Sequence, residues 1–74
     1  MNQQKKLPPR LTPEVTAKVI DSLGGTNTVS RLFSISSSAV AQWRTTGMPK
    51  SRVLYLRELF KKLPVMQLPE VRNL

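Results

Sequence analysis

The chain has 74 residues, with 12 Lys and Arg against four Asp and Glu, a formal charge of +8 and an isoelectric point near 11.0. It contains no Cys and no His, which together exclude disulfides, thiolate or imidazole metal sites, cysteine nucleophiles and histidine general bases. The length suits one domain with a small core, and no apolar run approaches the roughly 18 residues of a membrane span.

Residues 1–11 are polar, basic and proline-bearing, with Lys5, Lys6, Pro8, Pro9 and Arg10, and their composition predicts a flexible basic arm. The opening MNQQKKLPPR lacks the apolar stretch of a secretory signal, so a cytoplasmic protein is expected. Thr12-Pro13-Glu14 then reads as a helix start: Thr as N-cap, Pro at the first helical position, an acid in the first turn. Val15, Val19, Ile20 and Leu23 recur at helical spacing, and Gly24-Gly25 supplies the glycine that a helix C-terminus favours.

A second, short helix follows, capped by Thr26, with Val29, Leu32 and Phe33 as its apolar side. Ser34-Ile35-Ser36 makes a turn of about three residues. Four serines in the five positions 34–38 resemble a linker, but an exposed linker has no reason to contain Ile35, whereas a turn plugged into a core does. Ser36 or Ser37 caps a third helix running to about Arg44, with Val40 and Trp43 facing inward, and Thr45, Thr46 and Gly47 close it. A fourth helix is predicted from Pro49 or Lys50 to Leu63, its apolar side formed by Val53, Leu56, Leu59, Phe60 and Leu63. Pro64 stops it. The tail VMQLPEVRNL is apolar enough to dock or pair, but its pattern leaves helix, strand and disorder open.

Two short helices joined by a three-residue turn form the helix-turn-helix pattern. Its geometry needs a small residue where the helices cross, and Ser30 stands there. It also needs an outer side on the second helix that is free for a partner. That side carries Ser37, Ser38, Ala41 and Gln42. Serine hydroxyls can meet base edges, Gln can pair bidentately with adenine, an alanine methyl can contact a thymine methyl, and Arg44 can reach guanine or phosphate. Charge supports a polyanionic partner. From Ser22 to Arg57 there is no acid, whereas Arg31, Arg44, Lys50, Arg52 and Arg57 all fall in that stretch. Trp43, on the apolar side of an amphipathic helix, reads as core rather than a base-stacking platform, and Tyr55 is open between a phosphate contact and a subunit contact.

The stretch GGTNTVSRLFSISSSAVAQWRTTGMPKSRVLYLREL resembles the Cro-type repressors of temperate bacteriophages and prophages, and their single-domain helix-turn-helix relatives. The resemblance rests on a helix ending before "GGT", then "SxSAVxxW", then "GxPxxRxxxL", and covers roughly residues 12 to 63. It implies that positions 37, 38, 41 and 42 read bases. It also implies that Thr26 and Asn27, and the later Thr45, Thr46, Lys50 and Arg52, hold phosphates. Two departures stand out. Ser34 occupies a turn position where many relatives have glycine, which allows a helix-like backbone there instead of a left-handed one. Thr26 replaces the Gln often found at the start of the second helix.

Three regions are therefore expected: an arm over 1–11, a helix-turn-helix DNA-binding domain over 12–63, and a tail over 64–74 that can serve as a dimer contact. The expected fold is an all-α bundle of four to five short helices. The alternative is a Cro-like α+β fold with C-terminal strands, which the helical spacing of residues 50 to 63 disfavours. The expected function is sequence-specific binding of double-stranded DNA as a transcriptional regulator. It would act as a homodimer on a near-palindromic operator, with Leu54, Tyr55, Val65, Met66, Leu68 and Val71 as candidate subunit contacts. An antitoxin that binds DNA and also a toxin partner is the alternative. No enzyme activity, cofactor, metal, small-molecule ligand or membrane partner is expected, because four scattered acids offer no acid–base pair.

Overall fold

A computed structural model describes residues 9–74. In chain order it contains α1 (Pro13–Ser22), α2 (Thr26–Phe33), α3 (Ser37–Thr46), α4 (Lys50–Leu59), a 3₁₀ turn over Pro64–Gln67, and α5 (Pro69–Arg72). The fold is a small all-α bundle. Among the described residues no strand forms, and the alternative with C-terminal strands is not adopted; a single antiparallel bridge joins Arg10 and Pro49. No helix of the described residues is long and apolar enough to cross a membrane.

Local chemistry accounts for each boundary. The Thr12 hydroxyl accepts from the Val15 amide at 3.3 Å, and Pro13 occupies the first turn, where a missing N–H costs nothing. α1 ends in a Schellman motif: the Gly25 amide donates to the Ile20 carbonyl and the Gly24 amide to Asp21, with Gly24 at φ +109°. Gly25, not Thr26, is the N-cap of α2, since its φ of 103° and ψ of 177° turn the chain into the helix. The Thr26 side chain makes no capping bond.

The turn between α2 and α3 corrects a second expectation. Ser34 is left-handed, at φ 57° and ψ 44°, although it is not glycine. The reason is again a Schellman closure. The Ile35 amide donates to Ser30 at 3.0 Å and the Ser34 amide to Arg31 at 3.2 Å, which requires a left-handed residue between them. That closure swings Ile35 inward, where it packs against the core. Ser36 then caps α3 by accepting from the Ala39 amide at 3.1 Å, and the helix runs two residues beyond Arg44, to Thr46.

α4 is shorter than its apolar pattern predicts and stops at Leu59. Val53 and Leu56 are buried and Phe60 is half-buried, but Leu59 is 50% exposed. At 100° per residue, Leu59 lies well off the line joining Val53, Leu56 and Phe60, so a longer helix would not have buried it. The chain instead turns after Phe60 and delivers Leu63, Val65 and Met66 to the core.

The tail is therefore structural. Val65, Met66 and Val71 are buried, and Leu68 packs beside them. Their expected place as exposed subunit contacts is corrected by this burial. The N-terminal end is also part of the fold. Residues 1–8, with Lys5 and Lys6, lie outside the described residues, but residues 9–11 form a strap across the α3–α4 connection. The Leu11 amide donates to Met48 at 2.9 Å, the Lys50 amide donates to Pro9 at 3.1 Å, and the Arg10 guanidinium donates to the Gly47 carbonyl at 2.8 Å. Leu11 and Met48 are both buried. Thr16, fully buried on α1, accepts from the Met48 amide at 2.9 Å, which ties the same connection down from below.

Candidate nucleic-acid interface

α3 is anchored on one side and open on the other. Val40 is fully buried and Trp43 nearly so, three residues apart, while Ser37, Ser38, Ala41, Gln42 and Thr45 are all exposed. The spacing i, i+1, i+4, i+5, i+8 puts these five on one helical face. Eight residues at 1.5 Å each span roughly 12 Å, close to the width of a B-DNA major groove. Among the described residues, the side chains of Ser37, Ser38 and Gln42 make no hydrogen bond within the chain, so their donors and acceptors are available. Small residues at the start of the helix also keep its outer surface close to the backbone.

The crossing of α2 with α3 is built as the motif requires. Ser30 is buried at the crossing, and its hydroxyl donates to the Asn27 carbonyl at 2.7 Å, so no polar group there is stranded. Val29 is fully buried beside it. Trp43 meets Phe33 edge-on at 5.9 Å and 79°, which confirms Trp43 as core. Phe33 in turn contacts the Tyr55 ring at 5.3 Å and lies beneath the Arg52 guanidinium at 4.8 Å. An aromatic column thus runs from the core to the surface and holds Arg52 and Tyr55 in place.

The phosphate-contact candidates divide into three groups. Thr26 and Asn27 stand at the start of α2, and Thr45 and Thr46 end α3. Lys50 and Arg52 open α4, with Lys50 fixed through its backbone by the strap. Thr45 is exposed, whereas the Thr46 hydroxyl donates to the Gln42 carbonyl at 3.0 Å and so has no proton left for a phosphate. Arg44 is engaged internally: its guanidinium pairs with Asp21 at 2.7 Å and its Nε donates to the Thr26 hydroxyl at 3.2 Å. These bonds link the end of α3 to α1 and to the start of α2, and Arg44 is a brace in this state rather than a free cation. Thr26, as acceptor of that bond, keeps its own proton available.

Sequence reasoning missed the strap. Arg10, assigned to the arm by composition, sits at the α3–α4 connection next to Lys50. The signal that marks it is Leu11, an apolar residue directly before a helix N-cap, a position that commonly packs back on its helix. No protein-family profile, curated protein or solved structure matches this chain.

Proposed function

We propose that this chain is a sequence-specific double-stranded DNA-binding transcriptional regulator of the Cro-like repressor kind, working in the bacterial cytosol or a phage-infected host. The observation that carries the reading is the exposed face of α3, made of small polar residues and held rigid by Val40 and Trp43. In this reading Ser37, Ser38, Ala41 and Gln42 meet base edges. Thr26, Asn27, Thr45, Lys50 and Arg52 meet phosphates, which supply most of the affinity. One module reads only a few base pairs, so two copies act together, their recognition helices about 34 Å apart on a near-palindromic site. With the tail packed inside, Leu54 and Tyr55 on α4 are the two expected subunit contacts that stay exposed.

The test begins with selection of bound sequences from a random duplex pool, followed by binding of Ser38→Ala plus Gln42→Ala to the selected site. Both residues are exposed, so the variant is expected to fold normally. Preference over random duplex should fall by roughly 10-fold or more, at about 1–3 kcal/mol per lost bidentate contact. Affinity should also fall steeply with salt. A variant that keeps its full preference would remove α3 as the reading helix, and a flat salt response would remove phosphate as the main source of affinity.

A further inference from the structure

The end of α4 and the segment after it carry a surface that the helix-turn-helix does not use. Two clefts meet there. One, of about 310 Å³, is lined by Arg57, Lys61 and Arg72 with Glu58, Met66 and Gln67. The other, of about 430 Å³, is lined by Leu59, Phe60 and Leu63 with Glu58, Lys61 and Lys62. Glu58 and Lys61 line both, so the two clefts adjoin and form one surface, basic on one side and apolar on the other, with Glu58 as its one acid.

The groove is built rather than incidental. Arg57 is half-buried and donates to the Val71 carbonyl at 3.4 Å, and the Gln67 side-chain Nε2 donates to the Lys61 carbonyl at 2.6 Å, which closes the loop against the helix end. Among the described residues, Arg57, Lys61, Lys62 and Arg72 form no ion pair. Leu59, which lies off the buried stripe of α4, is half-exposed beside them.

We propose that this groove docks an acidic amphipathic segment of a partner protein. The segment's apolar side chains seat on Leu59, Phe60 and Leu63, and its carboxylates meet Arg57, Lys61 and Arg72. Charge complementarity selects this occupant. A nucleic-acid duplex offers phosphates to the basic half but nothing to the apolar half. A second copy of this chain, docked about a twofold axis, would bring the same cations face to face with their own kind. None of the groove residues is among those assigned to DNA, so the proposal stands or falls independently of the DNA-binding reading.

The experiment titrates the full chain with a fluorescein-labelled peptide, Glu-Leu-Asp-Phe-Glu-Leu-Asp, capped at both ends. Two control peptides replace either its Leu and Phe with Ser or its acids with Lys. Amide shifts are followed in parallel by NMR on unlabelled peptide. Saturable binding is expected, with shifts confined to residues 57–67 and 71–72, and neither control peptide should compete. Leu59→Ser and Lys61→Glu, both at exposed side chains, should each weaken binding about tenfold or more without moving the unfolding midpoint. The proposal is overturned by no saturable binding, by equal binding of the Ser-substituted peptide, by shifts centred on α3, or by full affinity in both variants.

Discussion

Gly47→Ala tests the strap that holds the α3–α4 connection, and Gly25→Ala supplies its internal control. Both glycines sit in the same sparsely populated backbone region, Gly47 at φ 91° and ψ 150°, Gly25 at φ 103° and ψ 177°. Forcing a side chain into that region costs of order 1–3 kcal/mol at either site. Their surroundings differ. A Cβ on Gly25 meets nothing within 4 Å, whereas one on Gly47 would lie 2.0 Å from the Leu11 carbonyl oxygen. Ordinary contact begins near 3.4 Å, so the strap must retreat by about 3.4 − 2.0 = 1.4 Å. That displacement breaks the 2.9 Å bond from Leu11 to Met48 and withdraws Leu11 from the core. Losing the bond costs about 0.5–1.5 kcal/mol, and exposing the leucine about 1.5–3 kcal/mol. Gly47→Ala should therefore be less stable than Gly25→Ala by roughly 2–4 kcal/mol, a large share of the roughly 4–11 kcal/mol expected for a chain of this length. Thermal and urea unfolding measure the difference, at roughly 4–8 °C per kcal/mol, and loss of exchange protection at the Leu11 amide locates it. Equal destabilisation of the two variants, within about 0.5 kcal/mol, would refute the packed strap.

Three further predictions concern the helix-turn-helix and the brace that ties it to α1. Ser34→Gly should stabilise the fold by roughly 0.5–1 kcal/mol, because it removes a left-handed non-glycine residue at a small entropic cost; a loss of stability in urea unfolding would mean that the serine side chain is needed. A double-mutant cycle on Asp21 and Arg44 should give a coupling of no more than about 1 kcal/mol, since the side chains are 33% and 66% exposed for Arg44 and Asp21. Asp21→Asn should also tighten duplex DNA binding in low salt, by removing an acid and releasing the Arg44 guanidinium for phosphate. Weaker binding would show that the ion pair is needed to hold α3.

Much of the candidate site was legible in the chain before any coordinates. Helix starts and stops are local: Thr12 and Ser36 cap the helices that follow them, Gly24 closes α1, and Val40 with Trp43 orients α3. These features depend on residues within four or five positions, so spacing and side-chain chemistry suffice to read them. The outward face of Ser37, Ser38, Ala41 and Gln42 follows from the same periodicity.

What tertiary structure decided was non-local. Arg44 carries the same charge in any conformation, and only the approach of α1 and α2 shows that Asp21 and Thr26 engage it. Leu59 reads as one more apolar residue of a stripe, yet the bundle packs Phe60 and Leu63 against the core, half-buried, and leaves Leu59 outside. Val65, Met66 and Val71 could have faced a partner. They fill the core instead, because a bundle this small lacks enough apolar surface without them. Leu11 and Met48, 37 positions apart, became core only when the strap met the α3–α4 connection across Gly47, whose missing side chain makes room for the Leu11 carbonyl. Capping and periodicity are written within a few residues, but burial depends on which distant segments meet, and no local pattern records that.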